Sequence, residues 1–144
     1  MVDQDRLAER LRTSVGRFVR ATRSRADALP PPLATTMGLL DREGSASTAY
    51  LAQRRGVRHQ SQSGTVKDLE ARGFIARRED PQDRRGFLLT LTERGRSALD
   101  SDRKARRDWV AQAMEALLSP DEQTQLDALP RLLDRLSEYD SGRG

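Results

Sequence analysis

The stretch RHQSQSGTVKDLEARGFIARREDPQDRRGF, residues 58–87, decides how this chain folds. Its first half has helical spacing and its second half does not. Val66 and Leu69 fall on one face, which Gln62 and Thr65 share, so a helix is predicted over Arg58–Arg72 with Gly73 as its cap. The other face holds Gln60, Ser63, Gly64 and Lys67, with Ser61 and Asp68 at its margin. Small and polar residues are poor helix formers, so their clustering needs a reason other than helix stability. A solvated surface helix is the plain alternative. Past Gly73 the pattern changes to two short β-type runs, Ile75–Arg78 and Phe87–Leu91, predicted as a hairpin. Its tip is Asp80-Pro81-Gln82-Asp83-Arg84-Arg85-Gly86. Pro81 and Gly86 are expected to shape this turn, Asp83 to accept hydrogen bonds that brace it, and Arg84 or Arg85 to project.

Upstream, a short helix is predicted over Thr48–Arg55, with Ser47 as N-cap, Leu51 buried and Gly56 closing it. Before it comes a helix over Pro32–Glu43 with Leu33, Met37, Leu39 and Leu40, ended by Gly44. The run ALPPPL breaks the chain from the preceding helix, since each proline removes a donor and restrains its predecessor. That first helix, Asp5–Ala26, has one narrow apolar stripe: Leu7, Leu11, Val15, Phe18 and Val19. So thin a stripe suits packing against another long helix, such as one from a second subunit. Its arginines (Arg6, Arg10, Arg17, Arg20, Arg23) read as a solvated face. Downstream, Thr92 caps a long helix carrying Leu99, Trp109, Val110, Ala113, Met114 and Leu117. Ser119-Pro120-Asp121-Glu122 opens a last helix with a leucine stripe at 126, 129, 132, 133 and 136, in which Pro130 is predicted to make a kink. The tail, residues 141–144, is expected to be disordered.

Composition narrows the function. The chain has 144 residues, 33% charged and only 4% aromatic, which allows one modest core. A net charge of +4 admits nucleic acid or an anionic surface as partner without requiring either. There are no cysteines and His59 is the only histidine, which removes disulfides, thiolate chemistry and the common zinc sites. No signal peptide or apolar span is visible, so the cytoplasm is the expected compartment. An enzyme is not expected. His59, Ser61 and Asp68 lie on one helix, nothing supplies an oxyanion hole, and no cofactor loop or metal motif occurs, so no cofactor is implied.

The order helix, short helix, tight turn, helix, hairpin is that of a winged helix-turn-helix, a mainly α fold with a small β-hairpin wing. The second helix of such a pair fits a major groove about 12 Å wide, where short polar side chains read base edges. The hairpin beside it reaches the adjacent minor groove, whose negative potential attracts an inserted arginine. A winged helix that binds protein and lacks sequence-specific DNA binding is the alternative. It needs neither arginines at the wing tip nor a polar recognition face.

The segment LAQRRGVRHQSQSGTVKDLEARGFIARREDPQDRRGFLLTLTERG, Leu51 to Gly95, resembles the MarR family of transcription regulators. The resemblance implies a single domain over 1–144, with a DNA-binding lobe at 32–95 and helical dimerisation regions at 1–31 and 96–144. It implies a homodimer, commonly a repressor, whose two recognition helices enter successive major grooves of a pseudo-palindrome. By position, Ser61, Ser63 and Gly64 match residues that touch bases, with Gln60 and Lys67 beside them. Arg84 matches the arginine that enters the minor groove, and Asp83 and Arg85 match its bracing partners. Members often answer small aromatic or lipophilic ligands, and here the pocket wall would include Phe18, Met37, Leu40 and Trp109, each of which also reads as a core residue. Gln62 and Thr65 depart from the pattern, because the family usually has apolar residues there.

Overall fold

Proline and glycine set most of the helix limits. In the computed structural model, which describes residues 1–25, 29–140 and 142, helix α1 runs Gln4–Arg25. The predicted last residue of that helix, Ala26, lies outside the described residues, as do most of the tail residues. Helix α2 (Pro31–Glu43) starts on a proline, where the missing N–H costs nothing, and gives way at Gly44. Helix α3 (Thr48–Arg55) is capped by Ser47, whose side chain accepts from Tyr50 N at 3.1 Å. At Gly56 the backbone is left-handed (φ +67), a conformation that glycine adopts without a Cβ penalty, and this turns the chain into α4 (His59–Ala71). The cap of α4 is Arg72, one residue before the predicted one, and Gly73 follows it at φ +75.

Strands β1 (Ile75–Glu79) and β2 (Phe87–Leu91) pair antiparallel, with Ile75 opposite Leu91 and Glu79 opposite Phe87. A further bridge ties β2 to the α2–α3 loop: Ala46 N donates to Leu89 O at 3.1 Å and Leu89 N to Ala46 O at 2.8 Å. Helix α5 (Glu93–Leu117) follows, then α6 (Pro120–Asp127) and α7 (Leu129–Ser137). Ser119 and Glu122 form the predicted helix start as a reciprocal capping box. The last helix is two helices rather than one kinked one. The ladder stops at Ala128 and restarts at Leu129, because Pro130 has no N–H to continue it and is tolerated only in a first turn.

The chain divides into two compact units, Met1–Arg107 and Asp108–Gly144. The core of the first joins Leu33, Met37, Leu39 and Leu40 of α2 to Leu51 of α3, Val66 and Leu69 of α4, Ile75, Leu89 and Leu99. Every element of the helix pair and wing contributes to it. None of α1 is buried, and Leu7, Phe18 and Val19 of its stripe are exposed. In the second unit no described residue is buried, and Leu117, Leu132, Leu136 and Tyr139 are exposed. Among the described residues, no helix is long and apolar enough to cross a membrane.

Candidate nucleic-acid interface

Helix α4 has two chemically distinct faces. Gln62, Val66 and Leu69 are buried, whereas Gln60, Ser61, Gly64 and Lys67 are exposed and Ser63 is half-buried. A Cβ placed on Gly64 would meet nothing within 4 Å, so packing does not require a glycine there. It weakens the helix and leaves the exposed face low. Lys67 has no hydrogen bond or ion pair among the described residues. His59 is exposed, with Nδ1 3.4 Å from Ser63 Oγ, which places it beside this face.

The two polar departures on the inner face are both satisfied. Gln62 is fully buried, donates from Nε2 to Thr36 Oγ1 at 3.1 Å, and accepts at Oε1 from Arg55 Nη1. Thr65 is half-buried and donates back to Ser61 O at 3.3 Å. Sequence reading missed Arg55. The available signal was its spacing, since Arg55 lies four residues after Leu51, on the buried side of α3.

The wing tip is shaped by its aspartates. Asp80 Oδ1 accepts from Gln82 N at 2.9 Å and Asp83 Oδ1 from Arg85 N at 3.0 Å, while Gly86 N donates to Asp83 O at 3.0 Å. Asp83 therefore braces the turn through the Arg85 backbone and leaves both arginine side chains exposed. Gly86 closes the turn through its backbone, donating to Asp83 O and accepting from Asp80 N at 3.3 Å, without needing a glycine conformation. Its φ is not positive, and a Cβ there would meet nothing closer than 3.7 Å. Among the described residues, Arg84 makes no hydrogen bond or ion pair.

At its base the wing is locked to α4. Arg77 forks onto Glu70, with Nε and Nη2 2.9–3.0 Å from its oxygens, and stacks 5.5 Å from the Phe87 ring centre. The hydrogen bond to Glu70 holds the Arg77 guanidinium above its ordinary pKa. This fork ties α4 to the wing. Its spacing of seven residues across a turn gives no periodic signal in the sequence.

A cleft of about 210 Å³ opens elsewhere in the first unit, between α1, α2 and α5. Arg23, Arg42, Arg103 and Arg106 line it together with buried Asp102. Asp102 Oδ1 accepts from Leu29 N at 2.7 Å, and its Oδ2 stands 2.5 Å from Arg106 Nη2, though not at a hydrogen-bonding angle. Asp41 binds both Arg96 and Arg103 at 3.0 Å. None of the expected pocket residues lines this cleft. Met37 and Leu40 are buried in the core because the stripe of α2 faces α3 and α4, Phe18 is 51% exposed on α1, and Trp109 lies half-buried in the second unit.

A capped helix pair with a tight glycine turn, a polar exposed second helix and a hairpin wing tipped by arginine together define a winged helix-turn-helix regulator of DNA. The MarR family model matches residues 29–86. The chain is 33% identical over 120 residues to the HTH-type transcriptional regulator Mb0904 of Mycobacterium bovis, spanning 81% of this chain and 84% of that one. It superposes on a transcriptional regulator of Pseudomonas aeruginosa with a TM-score of 0.82 at 30% identity, covering 97% and 100% of the two chains. It also shares its fold with Bordetella bronchiseptica BpsR, whose DNA binding is regulated by 6-hydroxynicotinic acid (TM-score 0.61, 23% identity, 97% and 99% covered). This chain belongs to the MarR family of transcriptional regulators, and its work is binding DNA rather than catalysis.

Proposed function

We propose that the protein is a sequence-specific repressor that acts as a homodimer on a pseudo-palindromic operator in the cytoplasm. The observation that carries this reading is the pairing of the exposed polar face of α4 with Arg84 at the wing tip, which has no partner among the described residues. Ser61, Ser63 and Gly64 meet base edges, with Gln60 and Lys67 at the rim of the contact. Arg84 enters the minor groove, and Asp83 and the Arg85 backbone hold the tip in shape. The exposed apolar residues of α1 and α7 supply the dimer contact, with 1–31 and 96–144 as the dimerisation regions.

A small effector releases the operator. The α1–α2–α5 cleft supports an acidic effector, because its lining places four arginines around one carboxylate. The aromatic acid that regulates BpsR is of this chemistry.

Fluorescence anisotropy of the protein on DNA flanking its own gene, at several salt concentrations with a scrambled duplex as control, tests the reading. Selective binding with a steep salt slope supports it. Equal, weak binding to the flanking DNA, to a scrambled duplex and to a pool of random duplexes would overturn it in favour of a protein-binding winged helix.

A further inference from the structure

The half of α4 that carries the base-facing side chains has a polar anchor. Of the buried residues on α4, only Gln62 precedes Val66, so the one fully buried side chain beneath the turns bearing Gln60, Ser61, Ser63 and Gly64 ends in an amide. We propose that Gln62 is a positioning residue for DNA readout: its hydrogen bonds to Thr36 of α2 and Arg55 of α3 fix the rotation of α4 about its own axis, and so the direction of Ser61 and Ser63. The inference rests on the reading of α4 as the DNA-facing helix.

The argument is geometric. Apolar burial is non-directional, so Val66 and Leu69 tolerate small rotations of the helix. Hydrogen bonds tolerate only a few tenths of an ångström. A rotation of about 20° moves atoms roughly 5 Å from the helix axis by roughly 2 Å, which breaks both bonds of Gln62. Breaking them strands a fully buried amide and hydroxyl, since both Gln62 and Thr36 are 0% exposed. The two bonds also point toward different helices, which fixes the amide from two sides.

Arg55 decides which way the amide faces. A guanidinium donates only, so it must meet Oε1, and this leaves Nε2 for Thr36. Among the described residues Arg55 has no carboxylate partner, and burial pushes its guanidinium below the ordinary arginine value. The Gln62 carbonyl is the acceptor that the Arg55 guanidinium meets. An apolar residue in place of Gln62 would fill the space without setting the angle.

The test uses the full chain and a duplex selected from a random library by the wild-type protein, with a scrambled duplex as control. Thr36→Val keeps the side-chain shape and removes one of the two bonds. Its ratio of selected to scrambled affinity should fall about three- to tenfold, the worth of one hydrogen bond, with scrambled affinity and salt slope unchanged. A triple variant, T36V/R55M/Q62L, replaces the network with apolar groups and leaves no buried partner stranded. It should melt within a few degrees of wild type while losing at least about tenfold in the ratio. If Thr36→Val loses the fold, the triple variant carries the test alone. Wild-type discrimination in a folded variant would overturn the positioning role only. A wild-type protein that selects no sequence would overturn the DNA reading and this inference together.

Discussion

Gly95 is the position where the structure and local helix preference predict opposite signs. It lies in the first turn of α5, where alanine is favoured over glycine by about 1 kcal/mol. A Cβ there would stand 2.0 Å from the carbonyl oxygen of Phe74 and 2.8 Å from its carbonyl carbon. Both neighbours are backbone, so no side chain can swing aside, and the start of α5 must retreat by about 1 Å or more. The retreat strikes the joint between α5 and the α4–β1 turn. Thr92 N donates to Phe74 O at 3.1 Å, Thr92 Oγ1 donates to Gly73 O at 2.6 Å, and Gly95 N donates to Thr92 Oγ1 at 3.0 Å. Loss of the first two bonds costs about 0.5–1.5 kcal/mol each, and overpacking strain adds about 1–3 kcal/mol. Set against the helix gain, Gly95→Ala should destabilise the protein by about 1–5 kcal/mol. Urea unfolding followed by circular dichroism, at one fixed protein concentration so that any self-association contributes equally to both proteins, measures this directly. A variant as stable as wild type, or more stable, would show that the close approach of α5 to Phe74 does not exist.

Four further outcomes are expected. Arg84→Ala should weaken operator binding by about 1–3 kcal/mol and leave the proposed dimer intact, and unchanged anisotropy titrations would remove the wing from the mechanism. Lys67→Ala should lower the salt slope by about one if the side chain holds a phosphate, or relax one base preference if it reads a guanine; a variant that does neither refutes the assigned recognition face. Gly64→Ala should raise thermal stability by about 0.5–1 kcal/mol, since its Cβ enters open space, yet weaken operator binding by filling the gap against the groove. Any binding gain from this alanine would refute a close approach at that point. Hydrogen bonds from Ser119, backbone first, hold the Glu122 carboxyl below its usual 4.5. Its charge therefore stabilises the start of α6 above that pH and stops doing so as pH falls through the lowered value. Melting curves of wild type and Glu122→Gln should differ at pH 7 and converge in acid, and a gap that persists at low pH would contradict the capping role.

The elements were legible because local rules govern them. Ser47 and Ser119 cap the helices they precede, Gly44 and Gly56 end the helices they follow, and both strands fall where β-type runs flank the charged tip. The two faces of α4 were also legible, since spacing alone separates Val66 and Leu69 from Gln60, Gly64 and Lys67. The kink expected at Pro130 became a break, because a local rule cannot say whether packing will hold the ladder together across a proline. At the wing tip the bracing by Asp83 was legible, whereas the turn at Gly86 closes by backbone hydrogen bonds and not by a positive φ. Residue type alone did not distinguish these two ways of turning.

Element order, helix caps, the polar exposed face of α4 and the charged wing tip follow from the sequence alone, since each depends on residues within a few positions of one another. Contacts between elements were decided by tertiary structure. Gln62 found Thr36 and Arg55 on two other helices, Arg77 reached Glu70 across a turn, and Asp102 met Leu29, 73 residues away in the chain. Met37 and Leu40 went into the core, and the arginines of α1, α2 and α5 formed the cleft instead. A hydrogen bond or ion pair needs two groups within about 3 Å at a defined angle. Periodicity specifies which face of a helix a residue occupies, but only the packing of one helix on another specifies what that face meets.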